Sequence, residues 1–206
     1  RPDRGKVLNA EELAATPDFR RYADPDGDGI PFRSWPGVHP NGAYFTRGSG
    51  HTEKATYTED EKDYERLMDR PKRKMDGAYD HLPKPVTHDA SQPTRMGLIA
   101  YGSSDYAVKE ALDRTEEDGL HINYMRVRSF PFGPDVQQFL DAHDQVFVVE
   151  QNRDGQLRTL MLAELEVNKS KLLPVLHYDG MPITANIIVD GLHRHLATST
   201  EQEAAE

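Results

Sequence analysis

The chain has 206 residues, 36% of them hydrophobic and 29% charged, with 35 acidic against 25 basic side chains and a net charge of −10. That balance leaves no basic surface to neutralise a run of phosphates, which argues against nucleic acid and anionic membrane as partners. There is no cysteine to form a disulfide or ligate an iron–sulfur cluster, and no apolar run nears the roughly eighteen residues of a membrane span, so a reducing, cytoplasmic setting is expected.

The opening RPDRGKVL, with Arg at position 1, reads as the start of a fragment or a processed product. Proline and glycine are dense before residue 94, and irregular structure is predicted there. Asn9 is a good N-cap for a short helix that Pro17 ends. Asp24, Asp26 and Asp28, spaced by Pro25, Gly27 and Gly29, follow the first half of a calcium-binding loop, but Trp35 stands where the bidentate Glu belongs. The plainer reading is a tight turn whose carboxylates bond the local backbone while glycine supplies positive φ.

From Phe32 to His51, aromatic residues alternate with Pro and Gly without a period, so Trp35, Tyr44 and Phe45 are expected to be buried against something else. Arg47 to His51 hint at an anion loop, yet lack the strand and helix that such a loop connects. Thr58 and Glu61 form a capping box, and Tyr64, Leu67, Met68, Met75, Tyr79 and Leu82 keep helical spacing over about 58–82. Pro71 is predicted to kink or split that helix near Arg70. LPKPVTHDASQP then reads as an extended spacer.

Residues 95–196 alternate strand and helix signals, the mark of an α/β domain with a mostly parallel sheet between two helical layers. Strands are predicted at 98–101, 121–127, 146–149 and 172–178. Val146 to Val149 are apolar on both faces, as in the middle of a covered sheet, and Pro174 puts the last strand at an edge. Asp154 is the expected cap of the third helix and Thr184 of the fourth, and 197–206 is a flexible tail.

Ligands of parallel sheets bind outside the carboxyl ends of the strands, here the loops GSSD, RSFPFGP, EQNRDG and YDGMP. Ser103 and Ser104 precede a helix N-terminus, where they serve either an anion or simple capping. Arg128 lies in the second loop. Glu150, Asn152, Arg153 and Gln156 belong to a dense polar cluster behind the most buried strand, suited to a neighbouring domain or subunit, or to a ligand. No Gly-x-Ser-x-Gly elbow and no histidine pair of zinc spacing occurs.

DRGKVL, DPDGDGI with PFRSWPG, AYFTRGSGH, LMDR, IAYGSSDYAVKEA, VVEQNRDGQL and LHYDGMPI, in that order, span nearly the whole chain. Together they resemble the carboxyl-terminal part of the alpha subunit of 2-oxoacid:ferredoxin oxidoreductases, most like the 2-oxoglutarate enzyme; Pro71 departs from that pattern. The resemblance implies a connector arm, 1–94, leaving a thiamine-diphosphate pyrimidine-binding domain, followed by a transketolase carboxyl-terminal-like domain, 95–196. It implies a complex that oxidatively decarboxylates a 2-oxoacid to an acyl-CoA, using thiamine diphosphate, Mg2+ and a 4Fe–4S cluster. The implied partners are the upstream domain, a beta subunit and ferredoxin. It places no catalytic or cofactor-binding residue in this chain, whose own role is structural and assembly. The alternative is a self-standing α/β module that binds a small anion or nucleotide at the strand ends.

Overall fold

A computed structural model describes residues 3–46 and 48–203. Arg47 of the glycine-rich loop and the last three residues of the predicted tail lie outside the described residues. The chain forms two units, Arg1–His81 and Leu82–Glu206.

In the first unit, α1 (Ala10–Ala14) starts with the expected reciprocal cap: Asn9 Oδ1 accepts from Glu12 N at 3.0 Å and Glu12 Oε2 from Asn9 N at 2.7 Å. The second helix, α2 (Glu61–Asp76), is capped by Asp60, whose carboxylate accepts from Lys62 N and Asp63 N at 3.0 and 3.1 Å. The predicted capping box at Thr58 is displaced because that hydroxyl is engaged with Asp60 N and the Asp63 carboxylate. Nor does Pro71 split α2. No residue of this helix is buried, so the carbonyl that loses its donor can turn to water.

Trp35, Tyr44 and Phe45, expected to be buried, are exposed, as are Tyr64, Met68 and Met75 of α2. Among the described residues of this unit, only Leu13 and Ala55 are buried apolar side chains. Guanidinium groups flank the rings instead, Arg33 over Trp35 at 5.8 Å and Arg21 over Tyr44 at 5.6 Å. The Asp-rich turn docks on α2 through Gly29, at φ +78°, where an added Cβ would lie 2.4 Å from Lys74 N and 2.6 Å from Arg70 O.

The second unit is a five-stranded sheet of order β1-β3-β2-β4-β5. Its strands are β1 (Val86–His88), β2 (Met96–Tyr101), β3 (Asn123–Val127), β4 (Gln145–Glu150) and β5 (Leu172–Leu176). All pair in parallel except β1, which runs antiparallel to β3 with Val86 opposite Arg126. The stretch expected to be a spacer therefore supplies an edge strand and moves the division of the chain to Leu82. The middle position belongs to β2, with β4 beside it; β5, with Pro174, is an edge strand as its proline requires.

Four helices cover the sheet: α3 (Asp105–Glu117), α4 (Pro134–Ala142), α5 (Gln156–Glu164) and α6 (Ala185–Glu203). Alternation along β4 divides the core: Phe147 and Val149 join Val108, Ala111, Ile188 and Leu192 of α3 and α6, while Val146 and Val148 join Val136, Leu140 and Met161 of α4 and α5. Each fully buried aliphatic or aromatic side chain contributes up to about 1.5–3 kcal/mol. Gly97 of β2 lets a helix sit close, since a Cβ there would lie 2.8 Å from Phe139 Cε1. Helix α6 runs through much of the predicted tail.

Candidate functional site

Four parallel strands bring the loops after β2, β3, β4 and β5 to one edge of the sheet, as the strand–helix alternation predicts. Helix α5 begins after Gly155, held at φ 59°, so Asp154 is not its cap. Its first amides are instead met from within the sheet. Glu150, the last residue of β4 and 0% exposed, accepts from Leu157 N at 2.6 Å through Oε2 and from Arg158 N at 3.0 Å through Oε1. Asn152 completes the arrangement: its Nδ2 donates to Glu150 Oε2 at 2.8 Å, and its Oδ1 accepts from Asp154 N and Gln156 N, both at 3.1 Å. The negative charge sits where the helix dipole favours it.

A second carboxylate occupies the start of α3. Asp105 is buried and bonded to Tyr124 Oη at 3.0 Å, Lys109 Nζ at 3.0 Å and Arg126 at 3.3 Å. Burial acts to raise its pKa, but the hydrogen bonds from Lys109 and Tyr124 with the charge of Arg126 outweigh it, and the carboxyl lies below its ordinary value. Burial first, then the bond to Asp105, pushes the Tyr124 phenol well above its usual range. Sequence reasoning missed this group, since Asp105 looks like any first-turn acid and its partners come from the next strand. Asp105→Asn is expected to lose about 2 kcal/mol near neutral pH, because an amide donor then faces Lys109 and Arg126. A depressed folded-state pKa stabilises above the unfolded value of about 3.9 and ceases to as pH falls through the folded value. Urea unfolding of variant and wild type should therefore converge as pH falls below the unfolded value; a gap that stays constant with falling pH counts against the assignment.

Ser104 holds the N-cap position of α3 but makes no side-chain capping hydrogen bond. Gln151 Nε2 donates to the Ser103 and Ser104 hydroxyls at 3.2 and 3.1 Å, while its Oε1 accepts from Ile183 N at 3.1 Å, tying together the loops after β2, β4 and β5. Arg128 is exposed and its nearest bond is a long one, 3.5 Å, to Lys84 O. Exposed Arg153 pairs with its neighbour Asp154 at 2.7 Å, and Gln156 is one of the residues lining a cleft of about 550 Å³ beside β3.

In the first unit the ligand oxygens of Asp24, Asp26 and Asp28 lie within 4.8 Å of one another. The chain supplies its own cation: Lys6 Nζ is 2.6 Å from both Asp26 and Asp28, and the bond from Lys6 is the main cause of the lowered Asp28 pKa. Asp24 pairs with Arg73 at 3.0 Å and accepts from Gly29 N at 2.9 Å. Calcium at about 1 mM is expected to leave the melting temperature unchanged; micromolar binding by calorimetry, abolished by Asp26→Ala, would overturn that expectation.

No family model matches the chain. Over 204 residues, 97% of its length, it is 28% identical to subunit alpha of 2-oxoacid:ferredoxin oxidoreductase 2 from Aeropyrum pernix, covering 30% of that protein. The chain is a homologue of part of the 2-oxoacid:ferredoxin oxidoreductase alpha subunits. In fold, this alpha-subunit homologue matches the 2-oxoglutarate:ferredoxin oxidoreductase of Magnetococcus marinus, solved with 2-oxoglutarate, coenzyme A and succinyl-CoA bound. The TM-score is 0.77 at 24% identity, over 92% of this chain and 32% of that one. The alpha chain of a probable 2-oxoacid ferredoxin oxidoreductase from Thermoplasma acidophilum overlaps 55% of this chain and 97% of that one, with a TM-score of 0.34 at 19% identity. The homologue thus spans about a third of the length of the Aeropyrum and Magnetococcus proteins. None of its described helices is long and apolar enough to cross a membrane.

Proposed function

We propose that this chain is the non-catalytic structural and assembly portion of a thiamine-diphosphate-dependent 2-oxoacid:ferredoxin oxidoreductase alpha subunit, working in the cytoplasm. Its sheet unit takes the place of a transketolase carboxyl-terminal-like domain behind a connector arm. In this reading the complete complex oxidatively decarboxylates a 2-oxoacid, 2-oxoglutarate foremost, to its acyl-CoA and reduces ferredoxin. The upstream pyrimidine-binding domain and a beta subunit are its partners. Ser103, Arg128, Arg153 and Gln156, exposed on the sheet edge, are proposed to serve contacts with such partners rather than chemistry.

The observation that carries this reading is the Glu150 carboxylate on the first amides of α5. In open α/β sheets a bound phosphate uses such amides after a strand end. A diphosphate does not fit there without evicting a buried, fully bonded carboxylate, and with no cysteine the chain offers no thiolate to a 4Fe–4S cluster. The same observation weighs against a self-standing anion or nucleotide module.

Two measurements on the chain test the proposal. With 2-oxoglutarate, coenzyme A, thiamine diphosphate and Mg2+, it is expected to reduce no viologen dye. Calorimetry with coenzyme A, ATP and inorganic phosphate is expected to show no binding. Dye reduction, or micromolar binding that Glu150 substitution alters, would overturn it.

A further inference from the structure

The sheet unit distributes its exposed apolar side chains unevenly. Among its described residues the exposed large ones are Val86, Tyr101, Tyr106, Phe130, Tyr178 and Met181, from 37% exposed at Val86 to 82% at Tyr106. Tyr101, Phe130, Tyr178 and Met181 lie at or just beyond the carboxyl ends of β2, β3 and β5, and Tyr106 is in the first turn of α3. Val86 begins β1, which runs the other way, and its partner Arg126 places it at the same end of the sheet. All six therefore crowd one edge, and the opposite edge has none of them. An apolar surface gathered this way marks an interaction site, whereas scattered single residues do not.

Within this edge lies the cleft of about 550 Å³, walled by Tyr101, Phe130, Phe132, Leu157 and Leu160 with Arg126 and Arg128 at its side. Arg126 is committed to Asp105, but Arg128 has no carboxylate partner among the described residues. A small molecule filling the cleft would leave Tyr106, Tyr178 and Met181 in water. A protein surface can cover the whole row.

We propose that this edge docks against the part of the alpha subunit that the chain does not span, through an apolar segment that carries a carboxylate for Arg128. The occupant follows from length and charge. This chain accounts for 30% and 32% of its two long relatives, so their remaining two thirds is a large neighbour on the same polypeptide. A guanidinium without a carboxylate partner beside an apolar wall selects an acidic side chain opposite it, which fixes register as much as affinity. This proposal rests on the assembly reading and adds the surface through which assembly is made.

The test compares the 206-residue chain with the complete alpha-subunit polypeptide that the assembly reading requires, both with and without Arg128→Glu and Phe130→Ser together. Amide exchange across 128–133 and 178–183 should slow at least about tenfold in the complete polypeptide. The double variant should abolish that slowing and leave the melting temperature of the short chain unchanged, since both side chains are exposed. Equal exchange in the two wild-type forms overturns the docking surface while the assembly reading stands. If the protein isolated from its native source is the short chain alone, both fail. Two further outcomes also overturn it: a dimer of the short chain on size exclusion that the double variant dissolves, which makes a second copy the occupant, and micromolar binding of 4-phenylbutyrate lost in Arg128→Glu, which makes the cleft a small-ligand site.

Discussion

Glu150→Ala is expected to lower the unfolding free energy of the sheet unit by roughly 3–5 kcal/mol, since it strands three donors at once. The Leu157 and Arg158 amides and the Asn152 amide group all point at a carboxylate that no water reaches. Burying that charge is unfavourable in itself, but three charge-assisted hydrogen bonds and the helix start offset the penalty. Glu150→Gln keeps the volume and one acceptor oxygen, so about half the loss is expected from it. Urea unfolding followed by circular dichroism, with the slope of the transition as the check on two-state behaviour, measures both. A Glu150→Ala variant within about 1 kcal/mol of wild type would show that the amides find other acceptors.

Gly29→Ala should be nearly as damaging to the first unit, at about 3–4 kcal/mol, and Gly27→Ala much less, at about 1 kcal/mol. Both glycines have left-handed backbone, φ +77° at Gly27 and +78° at Gly29, so conformational strain is common to the two. They differ in what a methyl group meets. At Gly27 nothing lies within 4 Å; at Gly29 the backbone of Lys74 and Arg70 lies under 3 Å away, and backbone cannot swing aside. The turn would have to lift off α2, parting the Arg70–Gly29 and Arg73–Asp24 bonds. Thermal unfolding of the two variants side by side isolates the close approach, and equal losses would refute it.

The strands β2, β4 and β5 were legible because each is a compact apolar run, β3 because apolar residues recur among its polar ones in HINYMRV, and the helices between them because their buried positions recur at i, i+3 and i+4. Strand β1 was not, since its three residues are exposed, two prolines precede them, and only pairing with β3 makes them a strand. The polar cluster after β4 was visible as a cluster. Its internal use was not, for Asp154 is the local cap candidate while the acceptor that caps α5 comes from the strand, seven residues before the amide it meets. Ser103 and Ser104 were read through their position before a helix, and a glutamine 47 residues away in sequence consumes the buried hydroxyl. The Asp-rich turn was legible as a turn, but its pairing with Lys6, twenty residues upstream, was not, since the spacing within the turn says nothing of a distant partner.

The junction of Glu150 with α5 also bears on the order in which this unit acquires structure. Nine residues are too few for a helix to persist in water by itself, and its N-terminal amides are met only when the end of β4 is already in place. Helix α5 is thus contingent on the sheet: in a refolding chain it should consolidate with β4 and not before it. In native-state hydrogen exchange, the Leu157 and Arg158 amides should open at the free energy of the strand and not at that of a frayed helix end.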